Sequence, residues 1–139
     1  MEIVNRKAKF DYFIESEIEA GIVLKGTEIK SLRNGSADLK DTYVRIKNEE
    51  AFIINMYIAK YEEGNIFNHD ERRERKLLLH KNEISKLKEM ADKDGYSLIP
   101  IRAYLKKNIF KISIGVCKGK KNYDKRESIK ERDLKKLEK

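Results

Sequence analysis

The chain has 139 residues, enough for one domain with a real core and too few for two ordinary ones. Charged residues make up 40% of it, and of a formal net charge of +8, five positive charges lie in residues 118–139, where ten Lys or Arg face five Asp or Glu. That asymmetry suits a polyanion, and four apolar residues in the stretch (Tyr123, Ile129, Leu134, Leu137) are too few for a membrane-facing surface, which favours nucleic acid.

Residues 10–24, "FDYFIESEIEAGIVL", place Phe10, Tyr12, Ile14, Ile18, Ala20, Ile22 and Leu24 on one parity and Asp11, Glu15, Glu17 and Glu19 on the other. Period two predicts one long strand with a core face and an acidic solvent face, bent or bulged at Gly21. "GTEIKSLRNG" predicts a short helix capped by Thr27, with Ile29 and Leu32 on one face and Gly35 as its stop. A hairpin follows: Val44 and Ile46 alternate with Arg45 and Lys47, "NEE" turns, and Phe52, Ile54, Met56 and Ile58 alternate again. Residues 60–76 read as a long polar connection into a brief strand, "KLLL". His80 followed by Glu83 resembles a capping box opening a helix with Ile84, Leu87, Met90 and Ala91 buried and Gly95 at its end. "YSLIPIRAYLKKNIFKISIGV" predicts a second hairpin across "KKN", with Phe110, Ile112, Ile114 and Val116 on one parity.

The predicted fold is therefore mainly β: a small antiparallel barrel, closed or partly open and without free edges, with two or three flanking helices and a basic C-terminal tail. "GIVLKGT" and "GVCKGKK" fall short of a phosphate loop, the first for want of a lysine and the second for want of a spacer and a hydroxyl. His69 beside Asp70 could serve a small nuclease, but a polar loop explains the pair as well. Cys117 has no second cysteine to pair with and reads as a small strand-end residue. The N-terminus has no apolar signal core, and "AFIINMYIA" is too short to span a bilayer. The reading is a cytoplasmic, non-enzymatic protein with no cofactor and no metal.

Basic residues cluster at two further places. Arg72, Arg73, Arg75 and Lys76 stand directly before the "KLLL" strand, and Arg6, Lys7 and Lys9 precede the first long strand. Charge alone allows a solvated loop, or guanidiniums forking onto phosphates and stacking on unpaired bases.

Four stretches, "NRKA", "DYFIESEIEAGIVLKGTEIKSLR", "NHDERRERKLLLHKNEI" and "GKKNYDKRESIKERD", together resemble the SsrA-binding protein (small protein B, SmpB) family, in order from residue 5 to residue 133. The resemblance implies an oligonucleotide-binding-type barrel, binding to the tRNA-like domain of transfer-messenger RNA, and delivery of that RNA to stalled ribosomes for trans-translation. By position it implies RNA contacts at Asn5, Arg6, Glu19, Leu78 and Lys111, to which the basic clusters add Lys7, Arg73, Arg75 and Lys76. The strand pattern stops after Cys117, which gives a domain over residues 1–117 and a tail over 118–139 that should be disordered when free, since four apolar residues cannot offset its ordering entropy. The resemblance implies that this tail enters the decoding centre and mRNA channel of the ribosome, where it should be helical. The tail contacts would be Gly119, Lys120, Lys121, Tyr123, Asp124, Lys125, Arg126, Lys130 and Arg132. The family's loop reads His-Asp-Pro where this chain has Glu71, which should loosen the turn that carries Arg72 and Arg73. A monomer without membrane contact is expected, and a generic barrel-fold RNA-binding or ribosomal protein remains the alternative.

Overall fold

A computed structural model describes residues 2–63, 68–93 and 95–120. Among them are nine strands and three helices: β1 (Glu2–Val4), α1 (Arg6–Asp11), β2 (Tyr12–Ile22), α2 (Gly26–Arg33), β3 (Ala37–Asp38), β4 (Tyr43–Lys47), β5 (Glu50–Ile54), β6 (Tyr57–Ile58), β7 (Arg75–Leu78), α3 (Lys81–Ala91), β8 (Tyr96–Lys106) and β9 (Ile109–Gly119). Seven strands form one antiparallel sheet in the order β1-β8-β9-β2-β7-β5-β4, and β3 pairs with β6. The sheet curls until β4 lies near β8, but β1 and β4 remain its edges, so the barrel is partly open and has the free edges that the sequence reading excluded.

The long first strand is shorter than its alternation predicts. Asn5 caps a helical turn instead: its Oδ1 accepts from Ala8 N–H at 3.1 Å, and its Nδ2 donates to Leu39 O at 3.0 Å and Pro100 O at 2.9 Å. Phe10, expected on the core face, therefore sits in α1 and is 79% exposed. The irregularity in β2 is at Glu15, not Gly21: Ile14 pairs with Cys117 and Ser16 with Val116. One extra residue reverses which face a given parity meets. Ile14 thus joins a small cluster with Ala8, Ile99, Ile101 and Cys117, whereas Ile18 and Ala20 enter the main core with Ile112 and Ile114. At the crossing of that small cluster, Gly115 leaves no room for a side chain; a Cβ there would lie 2.7 Å from Ile101 Cγ1.

Both hairpins turn on two residues rather than three. Asn48–Glu49 and Lys107–Asn108 all have positive φ, the twist-matched geometry for a tight hairpin. The first turn opposes Lys47 to Glu50 and so sends Ala51 and Ile53 inward, correcting the expected Phe52 and Ile54 parity. Asn55, also at positive φ, then resets the chain so that Met56 and Ile58 are buried as predicted. In the second hairpin Phe110, Ile112, Ile114 and Val116 are buried as expected. β9 continues two residues beyond Cys117, whose thiol is pushed up to about 12 by burial and is an inert core group.

Candidate nucleic-acid interface

The sequence of α2 sets up an internal charge cluster. Its first turn places Glu28 to accept from the Lys25 N–H at 2.7 Å, so Lys25, not Thr27, precedes the helix. Glu28 is fully buried, and two guanidiniums close on it: Arg73, at 2.6 and 3.1 Å, and Arg75, through Nε. Arg75 also donates to Met56 O at 2.7 Å and Glu71 O at 3.2 Å, and Arg73 to Val23 O at 3.3 Å. Burial by itself would raise the Glu28 carboxyl, but hydrogen bonds from Arg73, the Lys25 amide and Arg75 hold it below its ordinary value.

The Thr27 hydroxyl is used elsewhere, 2.8 Å from His69 Nδ1, while His69 Nε2 donates to Ile58 O at 2.9 Å. His69 is 2% exposed and both ring nitrogens are engaged, so it is a buried brace inside the loop between β6 and β7 rather than a solvated loop residue. Asp70 Oδ1 accepts from the Arg72 N–H at 2.9 Å and its carbonyl from Arg73 N–H at 3.3 Å. Those bonds hold the turn after Asp70 without a proline.

Three of the predicted contacts meet on the outer face of the sheet. Gly21 pairs with Leu78 of β7 on one side and Lys111 of β9 on the other. Leu78 is 53% exposed, as strand alternation requires with Leu77 in the core. Two residues back along β2, Glu19 projects from the same face. Glu19, Gly21, Leu78, Leu79, His80, Glu83 and Lys111 line one open groove. A Cβ on Gly21 would stand 3.2 Å from Leu78 Cβ, so glycine keeps the floor low beneath the leucine.

The groove has an apolar contact, a cation and an anion acceptor within one cleft. Such a combination can hold a sugar or base face, a phosphate and a base-edge donor at once. Glu19 is further fixed by the Tyr104 hydroxyl and by Lys106 Nζ at 3.3 Å from Oε1. The Tyr104 hydrogen bond, against the opposing effect of desolvation and with help from Lys106 and Lys111, keeps its carboxyl below the ordinary value. Tyr104 itself is pushed up to about 12 by desolvation and by Glu19.

The remaining sites divide. Asn5 is 4% exposed and Arg75 fully buried, and their polar atoms are used internally, by Leu39, Pro100, Ala8, Glu28 and Met56. Arg73 is also turned inward onto Glu28, with 22% of its side chain exposed. Lys76 is outward and pairs with Glu50 at 3.3 Å. Arg6 and Lys7 are exposed on α1, where Lys7 meets Asp41 at 3.2 Å, and neither lines the groove. Gly119 belongs to β9, and Lys120 lies over the Phe13 ring at 5.2 Å. Lys121, Tyr123, Asp124, Lys125, Arg126, Lys130 and Arg132 lie outside the described residues. Tyr104 and Lys106 escaped the sequence reading, although "RAYLK" alternates them with Ala103 and Leu105 and so turns both outward.

A model of the SmpB protein family matches residues 2–139. The chain belongs to the SmpB family. It is 60% identical over 131 residues to the SsrA-binding protein of Staphylococcus aureus, covering 94% of this chain and 85% of that one. It is 54% identical over 132 residues to the SsrA-binding protein of Borreliella burgdorferi, covering 95% and 88%. A chain in a solved structure described as "tmRNA-SmpB: a journey to the center of the bacterial ribosome" superposes with a TM-score of 0.74 at 42% identity, over 86% of this SmpB-family chain and 84% of that one.

Proposed function

We propose that this chain is an RNA-binding adaptor that binds the tRNA-like domain of transfer-messenger RNA and delivers it to stalled ribosomes for trans-translation, acting in the cytoplasm without catalysis of its own. The observation that carries this reading is the meeting of Glu19, Leu78 and Lys111 around Gly21, three positions spread over 93 residues of sequence. Membership in a family whose members are named SsrA-binding proteins, and likeness to a chain described with tmRNA and the bacterial ribosome, support the same partner. The deciding experiment is competition at equal salt between the tRNA-like fragment and an unrelated structured RNA. Preference for the fragment is expected. Equal binding would leave only a generic basic RNA-binding protein, because phosphate neutralisation alone does not discriminate.

The barrel domain over 1–117 is assigned the RNA and the tail over 118–139 the ribosome, with the protein acting as a monomer. Because β9 runs through Gly119 and Lys120 covers Phe13, the clean cut between the two falls after Lys120. A chain ending there should keep the fragment and fail to support tagging of a stalled peptide. Tagging at the full-length rate would remove the tail from the mechanism.

A further inference from the structure

We propose that Tyr104 is a positioning residue for the RNA site, acting through Glu19 by fixing its carboxylate in the orientation that accepts a base N–H. This rests on the reading of the groove as the RNA site. Glu19 stands on a flexible stem at the groove wall, where a free side chain would lose rotamer freedom on binding. Two donors from β8 remove that freedom beforehand: the Tyr104 hydroxyl takes Oε2, and Lys106 Nζ lies 3.3 Å from Oε1. The acceptor capacity that remains is open to the groove shared with Gly21, Leu78 and Lys111.

Tyr104 is itself held. Its register partners are Lys111 on β9 and Glu2 on β1, and Arg102 stacks over its ring with 4.9 Å to the centroid. Arg102 is tied in turn to Glu2 at 3.3 Å. The phenol therefore reaches across β9 from a braced base. The cross-strand ladder Glu2–Arg102–Tyr104, joined by Lys106, ends on Glu19, a carboxylate that lines the groove with Lys111. Besides these, Glu17 on the same strand acts on Tyr104, and His80 and Glu83 face the groove from the start of α3.

The test is Tyr104→Phe in the full chain, which keeps the ring and its Arg102 contact and removes only the hydroxyl. Binding to the tRNA-like fragment should weaken about three- to tenfold, the scale of one side chain ordered on binding instead of before it. The salt slope should stay unchanged, since no phosphate contact is lost. An ionised Glu19 accepts, so binding is full above its pKa and is lost as pH falls through it. Without the hydroxyl that pKa moves up, and the acid loss should begin at higher pH than in the wild type. His80 and Glu83 are the same in both proteins, so the difference between the two profiles reports on Glu19.

In a Glu19→Gln background, Tyr104→Phe should cost nothing further. A wild-type affinity and pH profile for Tyr104→Phe, beside an impaired Glu19→Gln, would overturn the positioning role alone. An equal loss in the Glu19→Gln background would overturn it too, by making Tyr104 a direct RNA contact. If Glu19→Gln and Lys111→Ala both bind as the wild type does, the groove is not the RNA site and both readings fall.

Discussion

Replacing Glu28 with Gln changes one charge and almost no volume, at a position with no access to water. Two arginines respond differently. Arg73 keeps 22% of its side chain exposed and can swing toward solvent, so its loss is small. Arg75 has none exposed and is anchored on Met56 O and Glu71 O, so it stays as a buried cation without a counterion. Breaking a buried pair from one side costs about 3–5 kcal/mol, a large share of the roughly 5–15 kcal/mol that keeps a domain folded. Arg75 keeps three carbonyl acceptors, Met56 O, Glu71 O and, at 3.5 Å, Asp70 O, which places the expected loss near the lower end, about 3 kcal/mol. In urea, at roughly 1.5 kcal/mol per molar, the midpoint should fall by about 2 M. The loss should also depend on pH. Because the Glu28 carboxyl is held below its unfolded value, its contribution is present above that value and disappears as pH falls through the native one. Wild type and Glu28→Gln should therefore converge in acid. A midpoint shift under 0.5 M at neutral pH, or normal stability with lost RNA binding, would refute the structural role of the cluster.

Lys111→Ala should weaken binding of the tRNA-like fragment and reduce the salt slope by about one unit, with an unchanged urea midpoint; an unchanged slope removes Lys111 from phosphate contact. Gly115→Ala forces a methyl to within 2.7 Å of Ile101, itself 1% exposed, and should cost about 1–3 kcal/mol of stability by urea unfolding. Glu83→Ala removes the acceptor of the His80 N–H at 2.9 Å and should cost about 1 kcal/mol without altering affinity for RNA. A fall in affinity instead would make Glu83 part of the interface, since it lines the groove as well.

The long strands, two hairpins and the buried stripe of α3 were legible because each follows a simple period. Gly35 follows the end of α2 with positive φ as expected, whereas α3 closes at Asp92 and Gly95 instead stands at the entry to β8. Errors arose where one residue changes the frame. Glu15 as a bulge and the two-residue turn at Asn48–Glu49 each invert which parity is inside, while the second hairpin keeps the expected one. The same rule separates the arginines: alternation in β7 turns Leu78 out, and carried back it turns Lys76 out and Arg75 in. Charge hid that result, because a buried arginine needs a buried acid, and Glu28 lies 47 residues away in sequence. Lys111 and Glu19 were legible from parity, but their meeting depends on register. Asn5 was missed as a brace since its partners, Leu39 and Pro100, are 34 and 95 residues distant.

Gly21 lies at the seam of the sheet. β2 is paired with β9 along most of its length but with β7 only at Gly21↔Leu78 and Ile22↔Leu77, extended by Val23 N–H to Lys76 O at 2.9 Å. By backbone pairing, the strands from β7 to β4 are therefore tied to the rest of the sheet through a three-rung ladder, with β4 packed near β8 at the far side. A ligand touching Leu78 and Lys111 together bridges that ladder from outside and acts as a clasp. Amide protons of Gly21 and Val23, the β2 residues whose N–H groups face β7, should then exchange with solvent more slowly in the complex than in the free protein, and the two halves of the sheet should open as one unit instead of two.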